Sequence, residues 1–247
     1  MSEIIIRPPE TIYQIHGEIE NGTFHGRWHF SFDEYNDPDY MHFGTLRVFN
    51  DDTLSPGAVW PLHPHQEIEV VTYCAEGEFR HADERGKGGI LRKGWVQHTT
   101  VGKGMMHSEI NNSKTSPMRF IQMWFLPSVH GLEPSVEQRK VERNERTDLL
   151  LPLVSIRHKD ALFIHSDAEV HACFLRKGTT VEHHIKKGRG GYLYVLEGAG
   201  LKVNGHRIPA LGAVKAIGAL TLNITALGNS ELLFVDVLLF ELIRGRF

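Results

Sequence analysis

The chain has 247 residues, 41% hydrophobic and 23% charged, an ordinary globular balance with room for one large domain or two of modest size. A formal net charge of -3 offers no electrostatic case for binding nucleic acid or an anionic membrane. No run approaches the ~18 apolar residues of a membrane span, Met1 to Pro9 lacks the apolar core of a signal peptide, and Cys74 and Cys173 are too few for a disulfide framework; a cytoplasmic protein is expected.

Short β-rich runs separated by Gly, Pro, Asn and Asp recur along the chain. They include Gly44–Phe49, Glu69–Tyr73, Gly94–Thr100, Phe120–Phe125, Tyr192–Leu196, Leu201–Asn204 and Leu232–Leu239. With no long stretch of helical periodicity, this predicts an all-β protein of antiparallel strands in sandwiches or barrels. Turns are expected at Asn50-Asp51-Asp52, Glu76-Gly77 and Asn204-Gly205, the last carrying the strongest two-residue hairpin signal.

Between Pro127 and Pro152 the texture changes, and Glu133–Thr147 is rich in Glu, Arg and Lys. It reads as a solvated linker with room for a short helical turn. The expected division is 1–130, a linker at 131–150, and 151–247. The halves look like a diverged repeat, because Thr72-Tyr73-Cys74-Ala75-Glu76-Gly77 resembles Leu193-Tyr194-Val195-Leu196-Glu197-Gly198. The same offset sets His184 against His63 and Lys186 against His65, so the second half keeps the strand-turn pattern and loses most of the polar positions. Two tandem β-barrels are expected, one with a metal site and one without.

The chemistry lies between His63 and Glu109. On an extended strand residues two apart share a face, so His63 and His65 project together, as do His107 and Glu109. If the two strands face each other, three imidazoles and a carboxylate converge, a donor set suited to a divalent transition metal. Glu69 has the same parity as the histidine pair, and parity alone leaves both Glu69 and Glu109 eligible. Sixteen histidines raise the expectation of metal chemistry only slightly, since most have no partner at ligand spacing. His183-His184 could be a vestigial ligand pair, while Cys74 and Cys173 read as core thiols. Trp28, Trp60, Trp95 and Trp124 read as core or pocket walls, with Trp60 the best placed to line an entrance.

These segments resemble the two motifs of the cupin superfamily. His63, His65, Glu69 and Gly77 approximate the first, with Gly77 one position late; Gly94, Gly102, His107 and Asn111 approximate the second. More narrowly, the chain resembles the pirin family in Trp28-His29-Phe30-Ser31-Phe32, Phe43-Gly44-Thr45-Leu46-Arg47-Val48, His63 to Tyr73, Gly102 to Glu109 and Pro134 to Lys140. The resemblance implies tandem cupin (jelly-roll) barrels with the C-terminal one degenerate, and metal ligands at His63, His65, His107 and Glu109. It makes Glu69 a supporting residue that orients an imidazole or closes a hydrogen bond. His98 and Lys103 depart from the family pattern, which bears on substrate preference.

Three imidazoles and a carboxylate leave open coordination positions, and Fe(2+) suits them best, with Mn, Co, Ni, Cu or Zn as alternatives. Similar pirins are described as quercetin 2,3-dioxygenases. That implies cleavage of a flavonol-type ring by O2 with release of CO, and Glu109 as catalytic acceptor of the 3-hydroxyl proton. Other pirins are described as nuclear cofactors, so the alternative is an iron-based redox sensor that binds a protein partner without catalysis. A roomy cavity at the open positions favours the enzyme and a plugged one the sensor. A metal-free scaffold is the third possibility. Direct contact with nucleic acid is not expected in any of them.

Overall fold

The computed structural model describes residues 2–84 and 88–240. Among them are twenty-one β-strands and three single-turn 3-10 helices, Pro9–Thr11, Pro38–Tyr40 and Arg143–Arg146. The strands form four sheets, and the ladders between them are antiparallel. A seven-stranded sheet runs in the order Ser135–Arg139, Val96–Thr100, Glu69–Glu76, Met118–Phe125, Leu46–Leu54, Gly22–Trp28 and Tyr13–Ile19. Facing it is a four-stranded sheet of Val59–His65, Met105–Asn111, Glu78–Asp83 and Gly88–Arg92. The C-terminal half repeats the plan. Its large sheet holds Glu3–Arg7, Ala213–Ile217, Arg189–Gly198, Ser230–Leu238, Ala168–Leu175 and Leu151–Ser155, and its small sheet Thr180–Ile185, Leu220–Ala226, Leu201–Val203 and His206–Ile208.

Period-two alternation assigns each strand's side chains. In Met118–Phe125, Ile121, Met123 and Phe125 join the core between the two large sheets, where they meet Leu233, Val235 and Val237. Met118 and Phe120 instead face the N-terminal barrel with Leu54, Cys74 and Phe79. Each such buried side chain contributes about 1.5–3 kcal/mol. Farther along the same inward faces the residues turn polar, through Asp52, Thr72 and Gln122. One end of the barrel is thus closed by apolar packing and the other is built for chemistry.

The sequence pattern misreads three places. Asn50-Asp51-Asp52 is no turn but the middle of the Leu46–Leu54 strand, and all three residues are buried. Tertiary partners override the local preference: Arg119 grips Asp51 with both Nε and Nη2 (2.7 and 2.6 Å), the Tyr194 hydroxyl donates to it at 2.6 Å, and Trp28 Nε1 donates to Asp52 at 3.1 Å. The charged linker is not simply solvated either. Ser135–Arg139 pairs with Val96–Thr100, while Val141 and Arg146 are buried, Arg146 reaching Glu231 at 3.0 Å. Strand pairing also cuts across the expected division at the other end, where Glu3–Arg7 pairs with Ala213–Ile217. The Asn204-Gly205 hairpin forms as expected, both residues with positive φ.

Gly44 marks where the halves lock together. Its φ is +55°, and a Cβ there would run into the Leu238 carbonyl oxygen, which accepts from the Thr45 amide at 3.2 Å. Gly44→Ala is expected to destabilise the chain by about 2 kcal/mol or more, read as a lowered urea midpoint at unchanged slope.

Candidate metal centre

His63 and His65 sit near the end of Val59–His65, with Pro64 between them exposed and both histidines turned inward. Met105–Asn111 pairs with that strand antiparallel and sets His107 opposite His63. A register shift follows, so Glu109 lies opposite Trp60, yet Glu109 keeps the inward side with His107, both buried. The three imidazole centroids form a near-equilateral triangle of 4.7, 4.6 and 4.8 Å. Their ligand nitrogens all lie within 4.8 Å of one another, close enough for one ion.

The hydrogen bonds fix which nitrogens face inward. His63 Nδ1 donates to the Pro61 carbonyl at 2.8 Å, which leaves Nε2 free to face the other two rings. His107 Nε2 approaches it to 3.1 Å, and His107 Nδ1 sits 2.8 Å from His81 Nε2. His65 Nε2 is buried with no hydrogen-bond partner. Burial, followed by the neighbouring imidazoles, lowers His65 to about 4 and His107 to about 3, so both rings stay neutral near neutral pH. Ring nitrogens about 3 Å apart, with an orphaned one beside them, fit donors to a cation at about 2.1 Å from each. The donor set therefore fits a first-row divalent ion.

Glu109 faces the same space but is held to one side. Gln122 Nε2 donates to its Oε1 in a short hydrogen bond, and Gln122 Oε1 accepts from Trp124 Nε1 at 2.9 Å. His63, His65 and Glu109 open onto a cavity of about 640 Å³ walled by Phe24, Trp28, Trp60, Phe120 and Trp124. Trp60 lines it as expected; Trp95 packs instead with the apolar end of the barrel. Asp52 is also in the wall, and burial lifts its carboxyl well above the usual carboxylate range. Its Oδ1 accepts from Trp28 Nε1 at the cavity wall.

Glu69 lies elsewhere. A turn through Glu67, with φ of +52°, separates the histidine strand from Glu69–Glu76, which belongs to the other sheet, so parity does not carry across. Its carboxylate accepts from His98 Nε2 at 2.8 Å, Thr100 Oγ1 at 3.2 Å and the His165 amide at 3.1 Å. The imidazole it orients is thus His98. Lys103 is exposed and pairs with Glu133 at 2.5 Å. Cys74 and Cys173 are buried free thiols, which burial pushes up to about 11 and about 12. His184 points outward to Thr221 Oγ1 at 2.8 Å, whereas His183 turns inward to Asp236 at 2.7 Å, so the repeat offset does not hold for side-chain direction.

Three contributors have no motif of their own: His81, Gln122 and Asp52. The alternation of Phe79, His81 and Asp83, and of Phe120, Gln122 and Trp124, was the available signal.

The pirin family model matches residues 13–125, and that of the quercetinase C-terminal cupin domain residues 153–237. A Pseudomonas aeruginosa protein, provisionally named a quercetin 2,3-dioxygenase, is 37% identical over 223 residues, spanning 90% of this chain and 95% of that one. The chain belongs to the pirin family. Another relative, named quercetin 2,3-dioxygenase in Escherichia coli, is 32% identical over 85% of this pirin and 90% of its own length. The crystal structure of YhhW from Escherichia coli superposes with a TM-score of 0.88 at 29% identity, covering 97% of this chain and 99% of that chain. A second structure of that bacterial pirin, in complex with nickel(II), gives 0.87 at 29% identity over 96% and 100% of the two chains. The two tandem cupin barrels are those of the family. No helix among the described residues is long and apolar enough to cross a membrane.

Proposed function

We propose that this pirin is a metal-dependent dioxygenase that opens a flavonol-type ring with O2 and releases CO. His63, His65, His107 and Glu109 hold one divalent ion in the N-terminal barrel, Fe(2+) by preference and nickel or another first-row ion as substitute. The observation that carries the reading is the unpartnered, buried Nε2 of His65, in a triad that borders an aromatic-walled cavity of about 640 Å³. That volume lies within the range of small-molecule sites and admits a fused-ring phenol. When bound, the ion supplies Lewis acidity and a redox-active centre for reaction of an enolate with O2.

The chain's own residues orient and deprotonate. Phe24 lies against Trp60 with centroids 4.6 Å apart, and His65 against Trp124 at 4.7 Å; these rings bound the space that a flat substrate would fill. Gln122 holds one oxygen of Glu109, leaving the other to accept the 3-hydroxyl proton. In the balanced reaction both atoms of O2 enter the ring-opened ester and the substrate's C3 leaves as CO.

The open cavity favours catalysis over the sensor reading, which expects a plugged site. Protein loaded with iron(II) should consume quercetin and O2 and release CO in equal amounts, followed by absorbance and oxygen uptake. No turnover with any first-row metal would overturn the proposal. His81→Ala, which removes the group beside His107 Nδ1, should weaken metal affinity about 10–100-fold while leaving the fold intact by circular dichroism.

A further inference from the structure

The C-terminal barrel carries ligand-type side chains of its own. In Ala168–Leu175, Val170 and Ala172 face the core between the large sheets, and Cys173 faces the barrel interior. Glu169 and His171 share the parity of Cys173, so they project together into that barrel, the same spacing that joins His107 and Glu109 in the other. The loop after Leu151–Ser155 brings His158 to them. Its course is set by Ser155 Oγ, which accepts from the backbone amides of Arg157 and His158 at 2.9 and 3.1 Å.

His158 Nε2 lies 3.2 Å from Glu169 Oε2, and His171 Nε2 lies 3.7 Å from the same oxygen. The ligand atoms of the three residues all fall within 4.8 Å of one another. The His158 contact is within reach of a hydrogen bond, but the His171 contact is not. A separation of 3.7 Å is too long for one, and the His171 ring is buried with its Nε2 on the side of that oxygen. Arg157 Nη1 holds the other oxygen of Glu169 at 2.9 Å, which turns Oε2 toward the two imidazoles. Donors at 3.2 and 3.7 Å bracket the edge of about 3.4 Å expected of a tetrahedron with bonds of about 2.1 Å.

We propose that His158, Glu169 and His171 form a second metal site in the C-terminal barrel, suited to a zinc-class divalent cation. Two imidazoles and one carboxylate leave a fourth position for water, and the half-exposed His158 gives the ion a route in. Such an ion ties the 156–167 loop to the Ala168–Leu175 strand. The site shares no residue with the N-terminal centre and does not depend on the activity proposed for it.

The test is zinc titration of the full chain after chelator stripping, read by competition with a chromophoric chelator. Two equivalents are expected for the wild type, and one each for His158→Ala and for His63→Ala/His107→Ala. In the latter chain zinc should still raise the melting temperature, and adding His158→Ala or Glu169→Gln should abolish that rise. His158 lies on an exposed loop, so its replacement leaves folding intact, and the wild-type stoichiometry stands even if the double variant fails to fold. A single equivalent that His158→Ala leaves in place, or two that survive both His158→Ala and Glu169→Gln, would overturn the proposal.

Discussion

Replacing His107 by Ala is expected to strip the metal from the N-terminal barrel and lower flavonol turnover by more than about 100-fold. Loss of a residue that merely supports a ligand already costs about 10–100-fold in affinity, so loss of a ligand should cost more. His107 is the hub of the cluster. Its Nε2 meets His63, its Nδ1 meets His81, and its ring lies within 5.0 Å of three other imidazoles by centroid. The substitution leaves His81 Nε2 without its partner as well. Metal analysis on the His158→Ala background isolates the N-terminal centre, and circular dichroism checks the fold. Unchanged metal content there would remove His107 from the ligand set.

Glu109→Gln should separate chemistry from metal retention. The amide keeps the size of the carboxylate and its oxygen can still accept from Gln122, so the buried network survives. With three imidazoles left, metal loss should be smaller than in His107→Ala. What disappears is the proposed proton acceptor, and kcat should fall about 10²–10⁴-fold, the usual contribution of general base catalysis. Raising the pH should restore part of the rate, because the flavonol then ionises in solution before it binds. A kcat equal to wild type, or a loss that pH does not touch, would place the proton elsewhere.

Much of this was legible in the residues. Spacing of two along a strand picks out the pairs His63/His65 and His107/Glu109, and the fold does bring the three histidines together; the Asn204-Gly205 pair marks a hairpin that forms. What misled was tertiary structure. Asn50-Asp51-Asp52 has turn chemistry, but Arg119, Tyr194 and Trp28 satisfy the two carboxylates inside a strand. Glu69 shares the parity of His65 on paper, yet the turn at Glu67 moves it to another sheet. His81 and Gln122 escaped notice because each acts through a neighbour: His81 reaches His107 on the strand paired with its own, and Gln122 reaches Glu109 from the facing sheet. The repeat offset matched the order of strands in the second half but aligned His184, which faces outward, with His63.

The central claim is that one ion in the N-terminal barrel is held by this set and meets the substrate there. X-ray absorption on the iron-loaded His158→Ala chain, with and without quercetin under anaerobic conditions, tests it most directly. The account predicts three imidazoles and a carboxylate oxygen at about 2.0–2.2 Å, with a light-atom shell that changes when quercetin binds. Fewer than three imidazoles, or a shell indifferent to quercetin, would contradict it.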